Sequence, residues 1–499
     1  MDTVYYNSPK KSRRFFSAKR IILSLVLIFI LAGAAYGGFF AYKLYAIGKK
    51  VSADAPHQPS FLQTIKSLAT DNPINLKSAD PDRINILLLG IGGKENPAPN
   101  LTDTIMVMSI DRKTNRVAML SIPRDLYAKV PDMNYASKIN TIYQLELNDQ
   151  TKNQDEKMQP LLATVKDITA LDIDYYVVLN FSGFRQAIDD IGGVNITSDR
   201  DLYDPRYPGP NYSYETFSLS KGFHHLDGAT ALQYARERHN DPQGDFGRAL
   251  RQQQIMQAAK NKIFSAATLF NPLALDNLLD TLGANVVTNI SPDEIGSFLE
   301  LSKKLDTQNI TNVVLDAWNK DSLLQIVHVP VADSSYSALV PRVGNYSETR
   351  ELAQNVFDLD ALKRKRAEIA DENAGVALIN QSGNSLITAR IQKLLSENLD
   401  YKNVTVLNIP GKTTADVSTV YDLTNGTKPF TTNELVTKLP AAISYDSSIP
   451  YPTSQGSKQF DIVVVLGKDL ISKYTMEEGT VQDLNNERDN QDISNSPNN

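Results

Sequence analysis

The chain has 499 residues, of which 41% are hydrophobic and 22% are charged, and its formal net charge is −6. These values are ordinary for a globular protein, and the length allows two or three domains. The sequence contains no cysteine, which excludes disulfide bonds, thiolate metal sites and cysteine nucleophiles. The overall acidity argues against nucleic acid as a partner.

An apolar segment near the N-terminus predicts a single membrane anchor at residues 21–46. It follows a basic tail at 1–20, and its core at 21–42 carries no charge. As a helix, this core is long enough to cross a hydrocarbon layer, which needs about 20 apolar residues. The excess of lysine and arginine before it predicts a cytoplasmic N-terminus, with a stalk at 47–80 and the bulk of the chain outside the cell. A cleaved signal peptide is the alternative, because small residues follow Leu31.

Strands alternate with helices between residues 81 and 345, where nearly continuous apolar runs indicate buried strands. The predicted strands are 84–90, 104–111, 116–122, 175–179 and 194–197, and the predicted helices are 159–169, 180–191, 245–267, 272–282 and 292–305. Alternation of this kind predicts a layered α/β domain with a mainly parallel or mixed sheet.

A second unit follows a charged helical linker at 346–373. Between residues 374 and 470, strands are predicted at 375–378, 404–408 and 460–466, with a helix at 387–399. This order predicts a small C-terminal α/β domain. Residues 471–499 are polar, and we predict that they are disordered.

A cluster of arginines is the most informative local feature of this acidic chain. Arg236 and Arg238 are followed closely by Arg248 and Arg251. The planar guanidinium group suits phosphate or carboxylate, and a local cluster in an acidic protein indicates one bound anion. The spacing of Arg248 and Arg251 predicts that both lie on one helical face. The alternative is a solvated helix whose arginines pair with nearby acids, namely Glu237, Asp241 and Asp245.

Further polar residues stand where the predicted strands begin and end. Arg124 follows the third strand, Lys138 and Asn140 lie in the next loop, and Asp103 precedes the second strand. Loops at the carboxyl ends of strands are where α/β sheets bind ligands, so these residues and the arginines are expected to converge on one anionic site. The alternatives are an ordinary ion pair of Arg124 with Asp125, a capping role for Asp103 and a turn role for Asn140.

These motifs, in this order, resemble the LytR–CpsA–Psr family of cell-wall glycopolymer ligases over residues 83–271. The matching segments are Leu87-Leu-Leu-Gly, Thr102-Asp-Thr, Ser121-Ile-Pro-Arg-Asp, Lys138-Ile-Asn, Tyr234-Ala-Arg-Glu-Arg and Gly244-Asp-Phe-Gly-Arg. The segment 374–470 resembles, more loosely, the small C-terminal domain often found in these proteins. The resemblance implies a layered α/β/α domain with a mixed central sheet, an N-terminal transmembrane helix and a small C-terminal α/β domain.

The resemblance also implies a phosphoryl transfer. Family members move a glycopolymer from a polyprenyl-pyrophosphate lipid onto peptidoglycan at the cell membrane, with no nucleic acid involved. The implied catalytic residues are Asp103, Arg124, Arg236 and Arg238, and Asp103 would hold Mg²⁺ or Mn²⁺. The implied pyrophosphate ligands are Arg124, Lys138, Asn140, Arg236, Arg238, Arg248, Arg251 and Gln252.

One position departs from the family pattern. Gly92 stands where a second aspartate is usual, so the metal site is incomplete as written, and Glu95 on the same loop is a candidate replacement. Two other functions stay open at this point. One is hydrolysis of the lipid pyrophosphate with water as acceptor, and the other is non-catalytic binding of a lipid-linked polymer.

Overall fold

The computed structural model of the protein describes residue 42 and the ranges 76–94, 96–147, 149–209, 213–238, 241, 244–263, 272–291, 294–317, 322–331, 334–409, 414–446 and 448–473. Within these ranges, no helix is long and apolar enough to cross a membrane. The predicted anchor at 21–46 lies outside them apart from Tyr42, as do most of the predicted stalk and most of the predicted disordered tail.

The first part of the chain forms a mixed α/β structure. Its strands are β1 (Arg83–Ile91), β2 (Thr102–Asp111), β3 (Arg116–Ile122), β4 (Tyr127–Lys129), β5 (Ala136–Lys138), β6 (Tyr175–Asn180), β7 (Val194–Ser198), β8 (Leu202–Pro208), β9 (Tyr214–Leu219), β10 (Gly222–Leu226), β11 (Val286–Thr288), β12 (Asp306–Val314), β13 (Leu324–Val331) and β14 (Ser334–Pro341). Its helices are α1 (Ile142–Leu147), α2 (Gln154–Thr169), α3 (Phe181–Asp190), α4 (Gly228–Arg236), α5 (Gly244–Ile263), α6 (Pro272–Asn285), α7 (Ile295–Lys304) and α8 (Ser347–Gln354).

The central sheet has the strand order β11-β6-β1-β2-β3-β12. Strand β1 is antiparallel to β2 and parallel to β6, and β3 is antiparallel to β2 and parallel to β12. The sheet is therefore mixed, which confirms the prediction from the sequence.

Both faces of this sheet are covered, which explains the continuous apolar runs in its strands. Successive side chains of a strand point to opposite faces. Leu87 and Leu89 of β1 belong to one core with the buried side of α2, whereas Ile84 and Ile86 belong to a second core with Leu301 of α7. The central strands are thus sandwiched between helices.

Helix α2 begins earlier than predicted because of its cap. The side chain of Asn153 accepts a hydrogen bond from the backbone amide of Glu156, and the Glu156 side chain accepts from the Asn153 amide. This reciprocal capping fixes the start at Gln154 rather than at residue 159.

A third core joins helices α3 to α6 with the two-stranded sheets β7–β10 and β8–β9, and it includes Val194, Leu226 and Tyr234. Helices α3 and α4 approach each other so closely that a Cβ atom on Gly228 would lie 2.0 Å from the carbonyl oxygen of Arg185. Glycine is required there, and the contact fixes the direction in which α4 leads to Arg236.

The second unit has its own sheet, preceded by the helix α9 (Leu359–Glu372). Its strands are β15 (Val376–Asn380), β16 (Val404–Leu407), β17 (Thr419–Asp422), β18 (Ala442–Ser444), β19 (Ser454–Gln455), β20 (Lys458–Gln459) and β21 (Ile462–Leu466), and its helices are α10 (Ser385–Lys393), α11 (Pro429–Lys438) and α12 (Asp469–Lys473). The sheet order is β16-β15-β21-β17-β18, with β17–β21 as the antiparallel pair. A separate core forms around β15 and β21.

The two units meet through ion pairs between α8, α9 and α11. Helix α8 belongs to the first core through Ala353, although its sequence lies in the predicted linker. Its Glu351 carboxylate lies 2.8 Å from Lys438 Nζ and 2.6 Å from Lys365 Nζ. Burial raises the pKa of Glu351, but the charges of Lys438 and Lys365 outweigh burial and hold that pKa below its ordinary value.

We expect Lys438→Met to lower the free energy of unfolding by about 2–3 kcal/mol, somewhat less than removal of one partner from a fully buried pair. The Lys438 side chain is 1% exposed, and its loss leaves Glu351 with Lys365 as its remaining ion-pair partner among the described residues. Urea unfolding measures the effect. The matched control is Lys393→Met on the exposed side of α10, which should stay within about 0.5 kcal/mol of the parent. Equal unfolding midpoints for both variants would contradict the prediction.

Candidate functional site

A cavity lies where three strands of the central sheet reach the same edge. Strands β2 and β3 are antiparallel with Ile105 opposite Ile122, so the start of β2 lies beside the end of β3. The parallel neighbour β12 ends at this edge as well. The cavity has a volume of about 190 Å³, and the polar residues that line it include Asp103, Arg124, Asp125, Arg248, Gln252 and Asp316.

Arg124 lies between two aspartates at this edge. Its Nη1 atom donates to Asp103 Oδ1 at 2.6 Å, and its Nε atom lies 3.6 Å from Asp125 Oδ2. Asp125 also accepts a hydrogen bond from Lys138 Nζ at 2.8 Å. Burial raises the pKa of Asp125, but Lys138 and Arg124 outweigh it and hold that pKa below its usual range. Asp125 is therefore an ionised carboxylate that orients both cations.

Backbone hydrogen bonds fix the loop that carries Arg124. The amide of Leu339 in β14 donates to the carbonyl of Asp125, and the amide of Asn140 donates to the carbonyl of Arg124. The hydroxyl of Thr102 donates to the carbonyl of Asn140 at 3.2 Å. Asn140 thus lies beneath the loop, buried and outside the cavity lining, although the sequence predicted it as a pyrophosphate ligand.

Helix α5 supplies Arg248 and Gln252, which are four residues apart and so lie on the same helical face. The next residue, Gln253, is 2% exposed and donates to Ser121 Oγ at 2.9 Å and to the carbonyl of Val313. This side chain attaches α5 to the ends of β3 and β12. This role of Gln253 is not predicted above, and its signal in the sequence is the run of glutamines after Arg251.

Arg251 has a different environment from Arg248. Its guanidinium group is buried and donates to the Asp241 carboxylate and to the carbonyls of Tyr234 and Glu237. Both arginines lie on α5 at the spacing that predicts a common face, but the Arg251 side chain turns toward the segment 234–238 at the end of α4. Its contacts join α5 to this segment and to Asp241, whereas Arg248 lines the cavity.

Arg236 and Arg238 lie on that same segment. Arg236 ends α4, and its guanidinium carbon lies 4.8 Å from the ring centre of Phe181 and 5.5 Å from that of Tyr207. Burial raises the pKa of Tyr207 to about 12, so its hydroxyl stays neutral beside Arg236. Neither arginine is among the residues that line the cavity. The structure thus brings Asp103, Arg124, Arg248 and Gln252 together, with Arg236 and Arg238 on a neighbouring segment.

The loop after β1 packs closely around Gly92, the position where the resemblance implies a second aspartate. A Cβ atom on Gly92 would lie 2.9 Å from Asn96 Cβ, and the Asn96 side-chain Nδ2 donates to the Gly92 carbonyl. An aspartate there would require the loop to move. Glu95 lies outside the described residues, and within them no cluster of three or more potential metal ligands occurs.

The sequence matches the model of the LytR_cpsA_psr family over residues 51–334. It is 30% identical over 274 residues to the polyisoprenyl-teichoic acid–peptidoglycan teichoic acid transferase TagU of Bacillus cereus, which covers 55% of this chain and 79% of that protein. The chain is 32% identical over 275 residues to TagU of Oceanobacillus iheyensis, and this alignment covers 55% of the chain and 77% of that protein. Among solved structures, TagV from B. subtilis is 26% identical in sequence with a TM-score of 0.42. The match covers 56% of this chain and 98% of the TagV chain.

We expect Arg251→Ala to lower the free energy of unfolding by about 3–5 kcal/mol, because it leaves a fully buried Asp241 carboxylate without one of its arginines. Denaturant unfolding followed by circular dichroism measures this loss. The control is Arg185→Ala on the exposed side of α3, which should cost about 0.5 kcal/mol or less. An Arg251→Ala protein of normal stability that fails to bind pyrophosphate would instead support the direct ligand role predicted from the sequence.

Proposed function

Because the chain belongs to the LytR–CpsA–Psr family, we propose that it transfers a polyisoprenyl-linked glycopolymer, with one phosphate, onto peptidoglycan. The observation that supports this most is the cavity at the sheet edge, which combines Arg124, Arg248 and Gln252 with Asp103. Relatives that match over more than three quarters of their length, 79% and 77%, are teichoic acid transferases. A teichoic-acid-type polymer is therefore the proposed donor.

The cavity suits the diphosphate of such a donor. Arg124 and Arg248 present planar guanidinium groups to it, and Arg248 is 7% exposed. Charge-assisted hydrogen bonds from guanidinium to phosphate are stronger where water is excluded. Since Asp125 and Lys138 already hold the Arg124 loop, little reorganisation is needed when the anion arrives.

The proposed reaction is an in-line substitution at phosphorus. A peptidoglycan sugar hydroxyl attacks the phosphorus that carries the glycopolymer, and the bond from that phosphorus to the bridging oxygen breaks. Polyprenyl phosphate leaves with the electron pair, and the hydroxyl proton passes to a carboxylate at the cavity or to solvent. Catalysis of this kind consists mainly of positioning and of neutralising charge on the leaving oxygens, which is the role assigned to Arg124 and Arg248.

A divalent ion fits this site once the donor is bound. Mg²⁺ keeps several waters and relies on substrate phosphates, so the single carboxylate of Asp103 is a sufficient protein ligand. When bound, Mg²⁺ or Mn²⁺ would supply further charge neutralisation for the leaving phosphate. Asp103 accepts a hydrogen bond from Arg124 at 2.6 Å. A phosphate that binds Arg124 in place of Asp103 would leave the Asp103 carboxylate available to the metal ion.

The predicted anchor at 21–46 belongs to the same proposal. It would hold the protein at the outer face of the membrane, where the lipid carrier and the growing wall are both accessible. Arg236, stacked on Phe181, and Arg238 would lie near the path of the donor rather than at the cavity itself.

We expect Arg124→Ala and Arg248→Ala each to reduce transfer by about 100-fold or more, as removal of a preorganised charge donor does elsewhere. The assay follows labelled glycopolymer from a polyprenyl-pyrophosphate donor into peptidoglycan. Arg390→Ala, on the exposed side of α10, is the control and should transfer normally. Normal transfer by both cavity variants would refute the proposal. Donor consumed only with water would identify a hydrolase, and donor bound but unconsumed would identify a binding protein.

Binding of metal and donor should be coupled. We expect Mn²⁺ affinity to rise at least about 10-fold when a polyprenyl pyrophosphate is added, because the phosphate supplies ligands and frees Asp103 from Arg124. Asp103→Asn should abolish this rise and most of the transfer, whereas Asp132→Asn, at an exposed turn, should change neither. Electron paramagnetic resonance of Mn²⁺ measures the free ion. Full transfer in a chelator, or an unimpaired Asp103→Asn protein, would remove the metal from the mechanism.

A further inference from the structure

A second cavity lies at the junction of the two units and has a volume of about 530 Å³. Its walls come from the end of β12 and helix α8 in the first unit, from α9, and from residues 397–402 and the end of α11 in the second. We call it the junction cavity. Its size falls within the range of about 300–1,000 Å³ that is usual for small-molecule sites.

Six carboxylates and five cations line the junction cavity, and several of them are paired with one another. Arg342 binds Glu348 through two hydrogen bonds of 2.8 and 2.7 Å, and Glu351 lies between Lys365 and Lys438. Because carboxylates outnumber cations by one in its lining, the junction cavity offers no positive field to attract a phosphate-rich polymer. A neutral ligand with hydroxyl and amide groups fits these paired charges better.

Tyr401 provides a group that such a ligand would satisfy. It lies on the wall of the junction cavity and is 8% exposed, and its hydroxyl has no hydrogen-bond partner among the described residues. Burial, reinforced by Glu434 and Glu372, raises the pKa of Tyr401, so the hydroxyl is a neutral donor. A buried hydroxyl without a partner costs free energy, and a sugar oxygen would supply the acceptor.

The junction cavity shares a wall with the cavity at the sheet edge. Val314, Leu315 and Asp316 line both. The amide of Leu315 donates to the carbonyl of Ser121 at 3.0 Å, which ties this wall to the end of β3, three residues before Arg124. A ligand in the junction cavity would therefore lie directly across this segment from the proposed phosphate site, with the Asp316 carboxylate between them.

From these observations we infer that the junction cavity binds a neutral saccharide segment of the acceptor glycan and directs it toward the phosphate site. This inference rests on the proposed transferase function, which requires the acceptor hydroxyl to reach the phosphorus. It assigns the second unit a role in acceptor binding, through Tyr401.

Two substitutions on α9 test the inference. Ala370 lines the junction cavity and is exposed, so Ala370→Trp should obstruct the cavity without disturbing a core. Ala367 is exposed on the same helix but does not line the cavity, and Ala367→Trp is the matched control. The probe is a soluble glycan-strand fragment of peptidoglycan, titrated calorimetrically into the 499-residue chain. We expect Ala370→Trp to weaken binding at least about 10-fold, and Tyr401→Phe to weaken it about 5-fold.

Donor binding is measured in parallel with a polyprenyl pyrophosphate and should be unchanged in all three variants. Fragment affinity lost in Ala370→Trp with donor binding intact supports the inference, and so does a raised acceptor KM at unchanged kcat. Equal fragment affinity in the parent, Ala370→Trp and Tyr401→Phe overturns it, as does a parent protein that binds no fragment. A parent that binds fragment at this cavity but performs no transfer overturns the proposed function and leaves the saccharide site standing.

Discussion

The ion pairs of Arg124 with Asp103 and Asp125 are the interaction on which the site depends. They hold a cation at the end of β3, where an unpaired buried charge would be costly. Asp125 forms an ion pair with Lys138 as well as with Arg124, so a second cation holds its carboxylate in place. Asp103 has Arg124 as its ion-pair partner. If a donor phosphate replaced Asp103 as the partner of Arg124, the Asp103 carboxylate would lie close to that phosphate. This is the physical basis for proposing that metal and donor bind together.

The arginines divide between the cavity and its supporting structure. Arg248 faces the cavity, but Arg251, one turn away, binds Asp241 and two carbonyls of the segment that carries Arg236 and Arg238. These hydrogen bonds join α5 to the end of α4 and to Asp241. Together with the attachment of α5 to β3 through Gln253, they position the cavity lining at the sheet edge.

The second unit is joined to the first by buried and half-buried ions and by Val343, which packs in the core of the second unit. Lys438, Glu351 and Lys365 connect α11, α8 and α9. Ion pairs of this kind fix the orientation of the two units, although removing their charges from water costs free energy. They leave space between the units. That space is the junction cavity, which shares the end of β12 with the cavity at the sheet edge. The two cavities are therefore neighbours, although most of each core belongs to one unit.

The sequence by itself determined the central strands, the mixed sheet and the family, because apolar runs and short polar motifs depend on neighbouring residues alone. It also placed Asp103 and Arg124 at adjoining strand ends. It did not separate Arg248 from Arg251, since helical spacing says nothing about which carbonyls and carboxylates a distant loop will present. Nor did it reveal Asp316, Tyr401 or the junction cavity. These depend on β12, α8 and the second unit meeting in space, and contacts between segments far apart in the chain are decided only by tertiary packing.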